Sequence, residues 1–347
     1  MSKATRIPAI DGLRVFLFLG IFLFHAKSSW LPVGWGGVQI FLVITSYLLT
    51  ARWLEKERKE VNPLKLFEKR ILRLYPAYLT LIIPVALAYI VLKHAIPDDL
   101  VWYLFSAQNF YWVITDYTSN LIAFTAHTWY ITLDVYLFLI WIFVLRIVPR
   151  KHFRTACWIA ILIAFAHRIL TEEFTDNSFA VYILPFGQLD SFALGGLLAY
   201  DLKYGENSIR KSVVDMVAGL AGILICILYL AQSKSISILT AIGTFNGTNP
   251  VANPITANVF FFIGLLGVGF IRYCVLPVKH PVLSNSYMAE IGTWTYVLYI
   301  VHWPILVVAK HFMGKTVLMA ASALIVSMLF AWMWMRFIEP RSAKLLK

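Results

Sequence analysis

The chain has 347 residues, 60% of them hydrophobic and 16% aromatic against 14% charged, with a mean hydropathy of +0.74. A soluble domain is roughly 45–50% apolar, so this composition excludes a water-soluble globular fold and marks an integral membrane protein. The formal net charge of +12 does not point to nucleic acid, because the basic residues fall in short loops between apolar runs.

The N-terminal stretch MSKATRIPAIDG runs directly into the first apolar segment and has no small-residue cleavage site after it, so that segment is expected to stay as a signal-anchor helix. Ten spans follow from the apolar runs: 13–31, 35–54, 76–93, 127–148, 153–170, 181–202, 213–231, 255–275, 288–309 and 316–337. An eleventh apolar stretch, 100–115, is resolved by charge. Lys and Arg cluster in the N-terminal tail, in 52–73, 146–154, 203–211 and 272–279, and in 336–347, whereas the alternate loops hold Asp98, Asp99 and Asp116, then TEEFTDN at 171–177, then the nearly neutral 232–254. Basic loops belong in the cytoplasm, and the alternation holds only if 100–115 stays at the outer face without crossing.

The predicted fold is therefore all-α: a polytopic membrane helix bundle of about ten spans, both termini cytoplasmic, in one domain over 1–347. An amphipathic cytoplasmic helix is expected at 63–74, after Pro63, lying against anionic head groups. Cys157, Cys226 and Cys274 lie in apolar segments without the short spacings of zinc or redox chemistry, so they read as packing residues and no metal is expected.

Ionisable groups inside spans are costly and mark candidate sites. Arg14 and His25 stand eleven residues apart. In a helix that is three turns plus about 20°, which puts both on one face about 16 Å apart. Arg14 also reads as a snorkelling anchor near the cytoplasmic end. His25 lies in the outer half of its span, where a neutral imidazole can accept a proton from a hydroxyl; a core histidine satisfied by its neighbours is the competing reading. Asp134 is expected about 10 Å in from the outer end of its span. His127, seven residues earlier, falls on nearly the same face, with Trp129 beside it as an apolar surface or as part of the interfacial aromatic belt. Asp190 sits near mid-membrane ahead of Gly195 and Gly196, which permit close helix approach. His302 lies in the outer half of its span, two residues before Pro304. His25, His127, Asp134 and His302 thus agree in depth. There is no Gly-rich phosphate loop, HExxH or GxSxG motif.

Taken together, DGLR with Arg14 and His25 in the spacing Arg-x10-His, GVQIFLVITSYLL at 37–49, RILRLYPAYL at 70–79 with Arg70 and Arg73, then HTWYITLDVYLFLI, LDSFALGGLLA, IGTWTYVLYIVHWPI and FIEP at 337–340 resemble the membrane-bound acyltransferase-3 family over essentially the whole chain. That family O-acylates bacterial surface glycans and some other acceptors. The chain departs from the family pattern at Gln39, where an acidic residue is usual, at Thr45 and Ser46 in place of Ser-Gly, at Asp134 in place of Glu, and at Gln188 in place of a frequent Arg.

The resemblance implies an O-acyltransferase of the bacterial cytoplasmic membrane that takes an acyl group, with acetyl expected, from cytoplasmic acyl-CoA to a saccharide, glycan or lipid-linked sugar at the outer side. Arg70, Arg73 and Arg14 would contact the donor. His25 would be the general base, directly or through an acyl-enzyme, with Asp134 an orienting partner. Trp129, His127, Asp190 and His302 would face the acceptor. Many relatives carry an appended hydrolase-like domain; here the membrane bundle alone is expected to deliver the acyl group. The competing class is a transporter or flippase in which the buried Arg, His and Asp residues form a proton or substrate path. It differs at Arg70 and Arg73, which a CoA site needs and a proton path does not.

Overall fold

The structure, a computed structural model, describes residues 6–55, 62–174, 178–244 and 256–339. Lys3, loop residues 56–61 and 175–177, the stretch 245–255 and the tail from Pro340, all used above to read topology or family, lie outside the described residues.

All regular structure among the described residues is helical. Helix α1 (Pro8–Ala26) opens with Pro at its first position, where the missing N–H costs nothing, and carries Asp11 in its first turn, where an acid complements the helix dipole. It ends at Ala26, five residues short of the expected span, so His25 belongs to its last turn. Helix α2 (Gly37–Glu55) follows and is largely buried. Helix α3 (Pro63–Lys93) joins the expected surface helix 63–74 to the expected span 76–93 without a break. Asn62 caps it by accepting from the Lys65 amide at 3.1 Å, and Pro76 and Pro84 sit within it. Proline is tolerated in a membrane helix whose freed carbonyls find other donors. At 31 residues, α3 is about 46 Å long, against roughly 30 Å of hydrocarbon.

The stretch 100–115 forms two short helices, α4 (Leu100–Leu104) and α5 (Gln108–Ile114), each too short to cross a bilayer. A third, α6 (Ile122–Thr125), leads through a 3-10 turn, Ala126–Thr128, into α7 (Trp129–Ile147). A polar network fastens this region: Tyr103 Oη bonds Thr125 Oγ1 at 2.7 Å, Gln108 Nε2 donates to the Thr128 carbonyl at 2.9 Å, and Asn109 Nδ2 donates to the Trp129 and Ile183 carbonyls at 2.8 Å.

Nine helical stretches among the described residues are long and apolar enough to span. The expected span 181–202 is not among them. Pro185 and Gly187 interrupt it, giving α9 (Ser178–Ile183), a 3-10 turn Pro185–Gln188 and α10 (Leu189–Tyr204). Burial rather than length explains α10. It packs against α2, α8 (Phe153–Phe174) and α13 (Val259–Cys274), so its backbone is covered by protein, not lipid. Gly195 and Gly196 make that packing possible. A Cβ at Gly196 would lie 2.6 Å from the Trp141 ring, and one at Gly195 would collide with the Val43 carbonyl. The three cysteines are free and buried.

Helix α11 (Ile209–Ser233) lies on α13, and a short α12 (Ile238–Thr244) follows it. Helix α14 (Ser286–Met313) packs along α1 and α15 (Val317–Met333). The contact of α1 with α14 is close enough that a Cβ at Gly292 would collide with the Asp11 backbone. That approach holds the Arg14–His25 face of α1 against its neighbours.

Candidate active site

Two polar clusters lie along α1, one near Arg14 and one at His25. At the first, Asp11 Oδ2 accepts from Arg6 Nε at 2.6 Å and Asp11 Oδ1 from Arg14 Nη1 at 2.8 Å. Arg14 is within Coulombic reach of both Arg70 and Arg73 on α3. Arg70 is not free: its Nε donates to Asp134 Oδ2 at 3.2 Å, its Nη2 reaches both oxygens of the same carboxylate, and its guanidinium stacks over Phe138 at 5.2 Å. Asp134 is 3% exposed and Arg70 20%, so this is a mostly buried two-point pair. Arg73, one helical turn further on, is exposed and forms no hydrogen bond with any described residue. It borders a cleft with Thr293, Tyr296, Trp334 and Glu339, and Glu339 is the carboxylate whose field it feels most. Asp11 and Asp134 are already engaged by other arginines, so neither neutralises Arg73, which is an accessible cation of this end.

The second cluster is built from three elements. His25 comes from the last turn of α1, His127 from the 3-10 turn before α7, and His302 from the middle of α14. His25 Nδ1 and His302 Nε2 are 2.8 Å apart, with the rings nearly parallel at 11° and 5.1 Å between centroids. His302 Nδ1 is 2.7 Å from the Tyr299 carbonyl. His127 Nε2 lies 3.0 Å from the Ile300 carbonyl. Pro304 accounts for that last bond: in an unbroken helix the amide of residue 304 would take the Ile300 carbonyl, and proline has no amide to give. The His127 ring fills the vacated donor place and packs edge-on to His302 at 5.3 Å.

Two residues that the sequence reading did not single out complete the setting. Trp303 donates its indole N–H to the Ala123 carbonyl at 3.0 Å, pinning α14 to α6, and meets the His25 ring edge-on at 5.0 Å. Lys310 Nζ donates to the His25 carbonyl at 2.5 Å and lies over the Trp303 ring at 5.5 Å. That carbonyl belongs to the last turn of α1, where no helical amide is left to take it, so Lys310 acts as a cationic cap at the negative end of the dipole. His302 is fully buried and His127 nearly so, whereas His25 is half-buried. Among the described residues no carboxylate bonds any of the three imidazoles.

The expected convergence in depth is thus met by the three histidines and not by Asp134. The spacing of seven that put His127 and Asp134 on one face assumed a continuous α-helix, but α7 begins at Trp129, and the 3-10 turn before it sends His127 toward α14 while Asp134 faces α3. Asp134 therefore does not orient His25. His302 has both nitrogens engaged within the protein and is 0% exposed, which leaves it nothing to offer an acceptor. Asp190 is likewise closed off. Arg168 Nη2 pairs with Asp190 Oδ2 at 2.8 Å, with both side chains 0% exposed, and Arg168 also donates to the Gly187 carbonyl at 2.6 Å between the rings of Phe165 and Phe260. Trp129 packs against Tyr182, with 4.4 Å between centroids, and is 9% exposed. Arg168 went unread in the sequence although it obeys the rule that flagged Asp190, an ionisable group inside an apolar run.

Chemically, one end offers an exposed guanidinium backed by two more, suited to phosphate or carboxylate, and the other offers an imidazole held by a second imidazole, suited to proton transfer. Along α1, eleven residues separate Arg14 at the first end from His25 at the second, about 16 Å.

Comparison with known proteins gives the family. The family model described as "Acyltransferase domain" matches residues 7–336. "Putative O-acetyltransferase SACOL0978" of Staphylococcus aureus (strain COL) is 25% identical over 331 residues, which are 88% of this chain and 51% of that protein. "O-acetyltransferase OatA" of Staphylococcus aureus (strain NCTC 8325 / PS 47) is 25% identical over 334 residues, 90% of this chain and 52% of that protein. The chain spans about half the length of the curated relatives it matches. No solved structure matches it. With the family model covering all but the ends, the chain belongs to the acyltransferase-3 family of multi-pass membrane proteins.

Proposed function

We propose that the chain is an O-acyltransferase of the bacterial cytoplasmic membrane that moves an acyl group, acetyl in the simplest case, from acyl-CoA on the cytoplasmic side to a hydroxyl of a saccharide or lipid-linked glycan at the outer side. Both termini are then cytoplasmic and residues 100–115 lie at the outer face. The observation that carries this reading is that one face of α1 carries Arg14, within reach of Arg70 and the exposed Arg73 of α3, at one end and the His25–His302 pair at the other. A CoA donor presents phosphates, which the arginine end would hold in charge-assisted bonds, and its pantetheine arm is long enough to lay the thioester toward the histidine end.

In that reading, His25 takes the proton of the acceptor hydroxyl as its oxygen attacks the thioester carbonyl carbon. The C–S bond breaks, the ester forms, and the proton on His25 goes to the departing thiolate, so that CoA leaves as a thiol and the imidazole returns to neutral. The paired carboxylates also favour bond chemistry over a proton path. Asp134 and Asp190, which a relay would use, are each closed in an arginine pair.

Inside-out membrane vesicles containing the protein test the sidedness. Labelled acetyl-CoA added outside such vesicles should label saccharide trapped in their lumen. Label found only on saccharide supplied on the same side as acetyl-CoA would overturn the proposed direction.

A further inference from the structure

The geometry points to His302 as a positioning residue that fixes His25 in the tautomer with hydrogen on Nδ1, leaving the Nε2 lone pair as the site that accepts a proton. The assignment concerns the basic atom itself and does not require the acceptor to be known; its activity arm rests on the acyltransfer reading above.

The argument runs outward from a backbone carbonyl. A carbonyl oxygen accepts and cannot donate, so the 2.7 Å bond between His302 Nδ1 and the Tyr299 carbonyl requires hydrogen on Nδ1. His302 is 0% exposed, and among the described residues no carboxylate pairs with it, so it is neutral: a buried imidazolium without a counter-charge is costly. A neutral imidazole protonated at Nδ1 has a bare Nε2, which can only accept. The atom 2.8 Å from that nitrogen is His25 Nδ1, which must therefore carry the hydrogen and donate it. His25, neutral in turn, has its lone pair on Nε2. The tautomer of a half-buried histidine is thus dictated two bonds away by the main chain of α14.

The surroundings hold this arrangement. Tyr299, whose carbonyl starts the chain, donates its phenol to the His127 carbonyl at 2.6 Å. His127 occupies the Ile300 carbonyl freed by Pro304 and packs edge-on to His302, and Phe18 also meets His302 edge-on at 5.7 Å. A turn of the His302 ring would put carbon atoms where Nδ1 and Nε2 now meet the Tyr299 carbonyl and His25, breaking both bonds. Sequence alone made His302 an acceptor contact; the bond pattern gives it the place of a residue acting through His25, in the way outer partners fix the ring orientation of a working histidine.

The test is nitrogen NMR of the full chain, labelled with 15N-histidine and reconstituted in lipid at neutral pH, with the His25 signals identified by their loss in His25→Gln. The expected result is a neutral His25 protonated at Nδ1 and bare at Nε2. A neutral His25 protonated at Nε2, or an imidazolium, overturns the proposal. In His302→Leu the preference for Nδ1–H should disappear, and kcat for transfer from acetyl-CoA should fall roughly 10- to 100-fold, as for loss of an outer partner of a working imidazole, with KM for acetyl-CoA within about twofold. His302→Gln, whose amide oxygen can accept the same bond, should recover a measurable part of both. Equal kcat in wild type and His302→Leu also overturns it. If wild type transfers no acyl group, the function reading fails, while the NMR result still decides the tautomer.

Discussion

Arg70 of α3 and Asp134 of α7 form a two-point ion pair, with the carboxylate 3% exposed and the guanidinium 20%. It ties the N-terminal part of α3 to the core of the bundle. One of the two arginines expected at the donor is committed to Asp134, and in the proposed function the donor contact therefore falls to its neighbour Arg73.

Removing the carboxylate should therefore register as instability first. Asp134→Ala leaves Arg70 unpaired and should destabilise the protein by about 2–3 kcal/mol, below the roughly 3–5 kcal/mol for breaking a fully buried pair because Arg70 is partly solvated. Asp134→Glu keeps the charge and should cost less than half as much. Thermal unfolding of the purified variants in detergent measures both; an Asp134→Ala as stable as wild type would show that the pair does not hold α3.

Arg73 should behave in the opposite way. Arg73→Ala is expected to leave thermal stability within about 0.5 kcal/mol, as for an exposed side chain that makes no hydrogen bond to the described residues. It should raise KM for acyl-CoA roughly 10- to 100-fold, the loss of one hydrogen bond to a charged group at about 1.5–3 kcal/mol. Initial-rate kinetics against acetyl-CoA decide it, and an unchanged KM would remove Arg73 from the donor site.

Asp190 separates a structural role from an acceptor role. Asp190→Ala should cost about 3–5 kcal/mol by stranding the fully buried Arg168, whereas the double change Arg168→Met with Asp190→Leu should recover most of that loss, since apolar replacement of a whole buried pair is often neutral. If the double variant is stable and still uses the acceptor with unaltered KM, Asp190 holds the bundle together. A stable double variant with a raised KM would return Asp190 to the acceptor site.

Packing at the broken span yields a further check. Gly196→Val would drive a side chain into Trp141, from which even a Cβ would be only 2.6 Å away, and should destabilise by about 1–3 kcal/mol as overpacking does. Chemical denaturation in mixed micelles reads the change, and a neutral result would mean that α10 can move away from α7.

The helical bundle was legible because apolar runs of spanning length have few other solutions, and 100–115, which the charge alternation set aside, forms two helices each too short to cross. What escaped were the places where helices break. Pro185 and Gly187 split the expected span at 181–202, and the 3-10 turn at 126–128 rotated His127 away from Asp134. Helical periodicity holds only inside an unbroken helix, so the eleven-residue spacing of Arg14 and His25 survived and the seven-residue spacing of His127 and Asp134 did not. Pairing partners are also beyond spacing. Arg70 with Asp134 are 64 positions apart and His25 with His302 are 277, so depth could nominate them but not match them. Pro304 is visible in the sequence, but that His127 takes the Ile300 carbonyl it frees needed the fold.

The most direct measurement is acyl transfer itself. Purified protein in lipid, labelled acetyl-CoA and a panel of envelope saccharides should yield a labelled ester with wild type. His25→Ala, which removes the one half-buried imidazole of the cluster, should lower kcat about 10²- to 10⁴-fold, the contribution of a general base, with the thermal transition retained. Equal transfer by wild type and a folded His25→Ala would contradict the assignment of His25 as the base.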